Sequence, residues 1–373
     1  MIIRIPYVLT VIIAVLLIFA GHNIAVKDLF VLPEARQEVI KAKVEKIIDR
    51  IKPDEKLAAM QGDRILFNAK ITGGIQKGVT IKAVQSFSSL TQARTKEVAS
   101  GDTVLLINFN GEWYFNGFLR TNILFGLGII FTLCILFFGG KKGFNTILAL
   151  GLTCASVFAV FIPSILSGKN IYLMSALTCA YTISTTLLIV IGFNTKSLTA
   201  VAGCASGVAV TAIITIVMDK VLFLSGIVDE HSRYIANLPV EIPINLKAII
   251  FAGIIIGAMG AIMDVAMSIS SSLWEVKEKA GSIDFKTLFR SGLTIGRDIM
   301  GSMANTLILA YIGTSLSVVL ILSVYSSSFL SLFNTEMIVV EILQALAGSL
   351  GILFAMPLTA FFCSIFYLRK KAE

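Results

Sequence analysis

The chain has few of the residues from which enzymes build acid–base or metal sites. Its 373 residues include two histidines, and none of its five cysteines forms a CxxC pair. Asp229, Glu230 and His231 stand together in one segment, but two adjacent carboxylates and one histidine do not fix a metal geometry, which favours a solvated loop over a cation site. No nucleophile elbow, HExxH or P-loop motif is present. The sequence therefore predicts no enzyme, no metal site and no cofactor.

Charged residues are also scarce. Asp, Glu, Lys and Arg make up 14% of the chain, whereas 56% of it is hydrophobic and its mean hydropathy is +0.87. Soluble globular proteins carry about 25% charged residues. We therefore expect the lipid bilayer to be the main surroundings of the chain. The net charge of +8 is typical of basic residues beside membrane spans, and without a binding motif it predicts no nucleic-acid partner.

Apolar runs long enough to span a membrane recur along the chain, since a spanning helix needs about 20 apolar residues. The first run, IPYVLTVIIAVLLIFA, is either an uncleaved anchor or a cleaved signal peptide. Its length and the poor cleavage site before Gly21 favour an anchor at 1–21. Seven more spans are predicted at 122–139, 145–166, 171–192, 198–224, 247–275, 299–323 and 337–368. The predicted fold is an α-helical polytopic membrane protein with about eight transmembrane helices.

Residues 22–118 differ from these spans, because they are charged and their apolar residues alternate. RILFNAKIT places four apolar residues on one face at period two, as a half-buried strand does. GDTVLLINFNGEWYF predicts two strands joined at Asn110-Gly111. EVIKAKVEKIID suits a strand or a helix. We expect a small β-rich, barrel-like extracytoplasmic domain between the first and second membrane helices.

Lys and Arg predict the orientation of the remaining domain, 119–373. The richer side carries Lys141, Lys142, Lys196, five basic residues between 277 and 297, and the tail Arg369, Lys370 and Lys371; the other side carries Lys169, Arg233 and Lys247. By the positive-inside rule, both termini are cytoplasmic in a bacterial cytoplasmic (plasma) membrane, and 22–118 lies outside. The segment 281–298 is amphipathic and is expected to lie along the cytoplasmic surface.

The span at 247–275 carries glycines and polar residues on one face. Gly253, Gly257, Gly260, Asp264 and Ser268 follow one another at intervals of three or four, which is the helical period. The glycines permit another helix to approach closely. A carboxylate at this depth must face protein or water, because lipid would make its charge too costly. Asp264 is therefore predicted to exchange a proton or to bind a cation, with Ser268 beside it.

Two later spans carry further polar faces. The span at 299–323 and its start carry Asp298, Gly301, Ser302, Asn305 and Thr306, and the span at 337–368 carries Glu341, Gln344, Gly348 and Gly351. Gly301, Gly348 and Gly351 are predicted at helix interfaces, like the glycines of the span at 247–275. Asn305 and Thr306 are predicted to complete the coupling site, with a hydrogen bond from Asn305 to Asp264. Asp298, Glu341 and Gln344 form a secondary polar stripe. The alternative for all these residues is that they hold helices together and do nothing else.

Three segments resemble the YibE/F family of bacterial membrane proteins. They are GAMGAIMDVAMSISSSLWEV, GRDIMGSMANTLILAYIGTSL and EILQALAGSLGILFAMPLTAF. The resemblance extends over roughly 120–368 and implies a multi-pass membrane protein, without implying an activity. An architectural likeness to SecD/SecF export subunits and the wider resistance-nodulation-division transporters would give Asp264 the place of their proton-path Asp. The chain departs from them in having two more spans, no paired Asp-Asp and no second transmembrane half.

These features predict an ion- or proton-coupled permease or exporter component with Asp264 as the carrier. The alternative is a non-transporting partner subunit whose ectodomain binds an exported protein or an envelope component. The candidate protein partner is a second membrane protein of the same family or a second copy of this chain.

Overall fold

The computed structural model describes residues 4–27, 38–51, 63–74, 76–87, 96–240, 242–325 and 328–368. The chain forms two compact units: a barrel unit, Val31–Cys134, and a helical unit, Met1–Phe30 with Ile135–Glu373. The strands are β1 (Val39–Ile51), β2 (Arg64–Ile71), β3 (Thr80–Ser86), β4 (Thr103–Phe109) and β5 (Glu112–Phe118). The helices are α1 (Arg4–Val26), α2 (Thr121–Ser156), a π-helical turn (Val157–Phe161), α3 (Ile162–Leu166), α4 (Ile171–Ile191), α5 (Thr195–Val221), α6 (Glu230–Ala236), α7 (Leu246–Ala280), α8 (Phe285–Tyr325), α9 (Phe329–Asn334) and α10 (Glu336–Leu368).

The five strands form a closed barrel in the order β1-β2-β3-β5-β4, which confirms the predicted β-rich domain. The segment that suited a strand or a helix forms β1, which pairs with both β2 and β4. The pairing of β1 with β2 contains two register shifts, and such bulges bend a strand so that it can follow the curve of a barrel. The β4–β5 hairpin turns at Asn110 and Gly111, whose φ angles are 52° and 86°, as a type I′ turn requires. The strand order and the parallel β3–β5 pair are those of an OB-type barrel.

Seven helical segments among the described residues are long and apolar enough to cross a membrane, so the expected count of about eight is not confirmed. The two spans expected at 122–139 and 145–166 instead make up one apolar segment of 46 residues, Thr121–Leu166. Its backbone leaves helical geometry at Gly140, where φ is 50° and ψ is −126°. The difference in count comes from this segment.

Residues 285–298 of the predicted amphipathic segment form the first turns of α8, which continues without a break for 41 residues. Asp284 caps this helix by accepting hydrogen bonds from the Thr287 hydroxyl and from the backbone N–H groups of Lys286 and Thr287. The bond from the Thr287 hydroxyl is the main reason that the pKa of Asp284 lies below its usual value. The basic tail at 369–371 lies outside the described residues.

The centre of the helical unit is a close approach of α5, α7 and α10 at glycine. A Cβ at Gly207 of α5 would stand 2.7 Å from the Cβ of Ala355, 2.8 Å from the Ile262 side chain and 3.0 Å from the Gly351 carbonyl oxygen. Gly351 of α10 is enclosed in the same way by Thr211 and Ile262. Small residues at these points allow the backbones to come together, which is how helices associate inside a bilayer.

A buried hydrogen-bond network joins the same three helices near one end. The Tyr367 hydroxyl of α10 lies 3.0 Å from the Thr199 hydroxyl of α5 and 2.7 Å from the Ser270 hydroxyl of α7. The Ser270 hydroxyl also donates to the Lys196 carbonyl oxygen at 2.7 Å. Each hydroxyl therefore has a partner, so the network avoids the cost of an unsatisfied buried polar group and fixes the register of the helices.

The packing at Gly207 generates a stability prediction. Gly207→Ala places a methyl group against two side chains and a carbonyl oxygen, so we expect the free energy of unfolding to fall by about 1–3 kcal/mol. The measurement is thermal unfolding of the full chain in detergent. Gly313→Ala is the matched control, because Gly313 is also helical and has no neighbour within 4 Å. Equal melting temperatures for Gly207→Ala and the wild type would contradict the packing role.

Candidate functional site

Helix α7 carries the predicted carrier carboxylate. The Asn245 side chain caps its start by accepting from the Ala248 N–H at 3.1 Å, and Gly281, with φ 65°, follows its last residue. The helix has 35 residues, a length of about 52 Å, with Asp264 about 27 Å from the first residue. Since the hydrocarbon core of a bilayer is about 30 Å thick, Asp264 lies within it when the helix spans the membrane.

Asp264 lies on the outer face of the helical unit. The large apolar residues Ile255, Ile262 and Ile269 occupy the opposite face of α7 and are buried, whereas the Asp264 side chain is exposed. In the described part of the chain, Asp264 has no hydrogen bond or ion pair. Ser268, one turn further along, is half-buried.

The contacts between α7 and α8 determine how far the other predicted site residues lie from Asp264 along the helices. Leu307 of α8 lies over Gly348 of α10 beside Ala258, and Gly296 of α8 lies next to Ile269. This antiparallel register puts Gly301 and Ser302 level with Asp264. The register puts Asn305 level with Gly260, about one turn of α7 away from Asp264.

Asn305, Thr306 and Asp298 are exposed on α8. The Thr306 hydroxyl donates to the carbonyl oxygen of Ser302 at 2.8 Å, within its own helix. Within the described ranges, no hydrogen bond joins Asn305 to Asp264. The predicted coupling residues thus lie on the outer faces of two neighbouring helices, at adjacent levels, and among the described residues no hydrogen bond joins their side chains across the two helices.

The six glycines predicted at helix interfaces fall into two groups. Gly257, Gly348 and Gly351 each face a neighbouring helix so closely that a Cβ would meet it. The other three have no atom within 4 Å of a Cβ position; they are Gly253, Gly260 and Gly301. Gly253 and Gly260 lie on the outer face of α7 with Asp264, and Gly301 lies on the outer face of α8 with Asn305.

A second polar group lies where α7, α8 and α10 meet. A Cβ at Gly257 would stand 2.8 Å from the Tyr311 hydroxyl and 3.8 Å from the Gln344 amide nitrogen. Gln344 and Glu341 are half-buried. The Tyr311 hydroxyl is buried, and no described residue is its hydrogen-bond partner. The sequence prediction missed Tyr311, although a tyrosine inside an apolar run is itself a signal, because its hydroxyl normally needs a partner.

The described residues contain no group of three or more His, Cys, Asp and Glu side chains that could hold a metal ion. Asp229, one of the loop carboxylates, caps α6 by accepting from the Ser232 N–H at 2.7 Å. Asp264 alone offers one carboxylate, which is enough to exchange a proton. Binding a cation would need more oxygen ligands, from water or from another protein.

Comparison with known proteins identifies a family for this chain. The family model described as YibE/F-like protein matches residues 127–369, a range that includes α7, α8 and α10. No curated protein and no solved structure matches the chain. The likeness to SecD/SecF export subunits is therefore not shown.

Proposed function

The chain belongs to the YibE/F-like family, and from that premise we propose that this integral membrane protein is one subunit of an ion- or proton-coupled permease or exporter with Asp264 as its carrier. The observation that carries the proposal is the exposed Asp264 midway along an apolar helix. A charged side chain at the centre of a bilayer costs about 2.5–3.5 kcal/mol even on the mildest scales. Such a residue has to meet water or protein.

The glycines of α7 that have no neighbouring atom support the proposal that a second subunit packs on the face that carries Asp264. Gly253 and Gly260 leave room for another helix on the face of α7 that carries Asp264, and small residues are what close helix packing in lipid requires. A second copy of this chain, or another member of the same family, would enclose Asp264 between subunits. Ser268, Asn305 and Thr306 would then supply polar atoms around a water-filled passage.

The group formed by Tyr311, Gln344 and Glu341 supports an access route from one side. Gly257, beside Tyr311, lies two turns of α7 from Asp264, about 10 Å along the helix. The buried Tyr311 hydroxyl has a free donor among the described residues, which suits an ordered water. In this proposal, protons reach Asp264 along this stripe.

Proton flux tests the carrier role of Asp264. We expect Asp264→Asn to reduce proton flux to the background of empty liposomes, because the amide keeps the shape of the side chain but cannot exchange a proton at neutral pH. Purified chain in liposomes with an imposed pH gradient and an internal pH-sensitive dye gives the measurement. Glu278→Gln is the matched control, since Glu278 is an exposed carboxylate near the end of the same helix. Equal flux in the Asp264→Asn chain and the wild type would exclude coupling through this residue.

We also propose that Thr121–Leu166 crosses the membrane twice, which gives eight crossings and cytoplasmic termini in a bacterial cytoplasmic membrane. Gly140 has a left-handed φ, and a Cβ at Gly143 would collide with the Ile135 carbonyl oxygen. Residues eight apart in a straight helix lie about 12 Å apart along the axis. The contact therefore supports a reversal of the chain beside Lys141 and Lys142.

Cysteine labelling in intact cells tests this topology. The starting chain carries Ser at the exposed Cys134 and Cys154, and single cysteines are introduced as Lys142→Cys, Asn237→Cys or Glu278→Cys. We expect an impermeant maleimide to label Asn237→Cys in intact cells and the other two after permeabilisation. Labelling of Lys142→Cys in intact cells would contradict the proposed reversal.

The barrel favours a second candidate function, that of a partner subunit that binds an acidic exported or envelope component. On the outside of the barrel, Lys43 lies opposite Lys70, and Asn68 lies opposite both Lys46 and Lys82. None of these lysines has an ion pair with another described residue. Like charges directly opposite in a sheet are destabilising, so an acidic partner would reduce the repulsion between these lysines.

Complementation of a deletion strain separates the two functions. For a binding subunit, we expect the double variant Lys43→Gln and Lys70→Gln to lose complementation and Asp264→Asn to keep it. For a coupled permease, Asp264→Asn loses it. Lys77→Gln is the control, because Lys77 is an exposed lysine in the turn between β2 and β3.

A further inference from the structure

A cavity of about 260 Å³ opens between α4, α5, α7 and α10, at the end of the helical unit where α5 ends and α7 begins. Its apolar walls include Ile250, Phe251, Leu224 and Leu343, and the ring of Tyr172 packs on Phe251 with centroids 4.9 Å apart. At about 30 Å³ per molecule, the cavity has room for roughly nine waters. A small organic molecule therefore fits it.

Opposite charges border this apolar space. Asp219 lies in the last turn of α5, and Lys247 lies in the first turn of α7. Helix dipoles favour the reverse arrangement, with acids at the start of a helix and bases at its end. Each charge therefore interacts unfavourably with the dipole of its own helix. An ion pair with a purely structural role would be more stable with the acid at the start of a helix and the base at the end of one.

The two charges are close but not hydrogen-bonded. Lys247 Nζ lies 3.8 Å from Asp219 Oδ1, beyond hydrogen-bond distance. Asp219 Oδ1 is shielded from solvent and has no hydrogen-bond donor among the described residues. An acceptor that is shielded and left without a donor is costly. A ligand that brings a donor would remove this cost, and a second ammonium, that of Lys220, stands exposed at the rim.

We propose that this cavity binds a zwitterion with an apolar part. The ammonium group of the ligand donates to Asp219 Oδ1, its anionic group accepts from Lys247 and Lys220, and its apolar part lies against Phe251 and Leu343. A free apolar amino acid carries this chemistry, and so does phosphatidylethanolamine, whose headgroup is the zwitterion and whose acyl chains are the apolar part. The site goes beyond the proposed carrier role of Asp264 and does not depend on it.

Equilibrium binding to the full chain in nanodiscs tests the site and separates the two sources. Radiolabelled L-leucine is added to chain in phosphatidylglycerol bilayers, which lack a lipid ammonium. Native mass spectrometry then counts phosphatidylethanolamine retained by chain from mixed bilayers. Saturable leucine binding identifies a free amino acid as the ligand, and selective retention of phosphatidylethanolamine identifies the lipid. Binding of neither probe overturns the proposal.

Matched variants show whether the cavity is the site. We expect Asp219→Asn and Lys247→Gln each to weaken binding of the positive probe at least about tenfold, the loss of one charge-assisted contact. Glu278→Gln and Lys279→Gln change exposed charges at the far end of α7 and should bind as the wild type does. Unchanged binding by Asp219→Asn would show a structural ion pair and overturn the proposal.

A third variant tests the cavity without changing either charge, so its result does not depend on whether the charge variants fold. Ile216 lines the cavity and is 42% exposed, so Ile216→Trp fills the space from its open side without repacking the core. We expect this variant to unfold at the wild-type temperature and to lose binding. Wild-type binding by Ile216→Trp would also overturn the proposal. No proton gradient is applied, so the result is independent of the Asp264 flux experiment.

Discussion

The close approach of α5 and α10 at Gly207 and Gly351 is the constraint on which the helical unit depends. Because these backbones touch, Ile262 of α7 can pack over both of them. This contact fixes which face of α7 is buried. The face that carries Asp264 is turned outward as a direct consequence, since it lies on the other side of the same helix. The position of the candidate carrier thus follows from glycines that are distant from it in the sequence.

The barrel was predictable because its strands alternate and its hairpin carries Asn110-Gly111. The order of its strands was not, because Ala83 of β3 pairs with Trp113 of β5, 30 positions further along the chain, and the local sequence of these strands does not specify a partner. The number of spans was uncertain for a related reason. Gly140 and the lysines after it interrupt the hydropathy, but hydropathy does not distinguish a reversal from a bend in one long segment.

The candidate site was only partly predictable for a geometric reason. Spacing of three and four places Asp264 and its glycines on one face, but it does not say whether that face points toward the bundle or away from it. The answer depends on which side of α7 carries the larger apolar side chains and which helices pack there. Asp219 and Lys247 could not be paired from the sequence, because a loop and a short helix separate them along the chain.

The unbroken course of α8 makes it a continuous connection between the two ends of the helical unit. The helix packs against α10 at Gly292, Gly296 and Leu307 and runs for 41 residues from Phe285 to Tyr325, a length of about 62 Å. The amphipathic first turns form one end of this helix, and Asn305 lies near its middle. A displacement of those first turns along the helix axis is therefore passed on to Asn305 and to the opposite end of the helix.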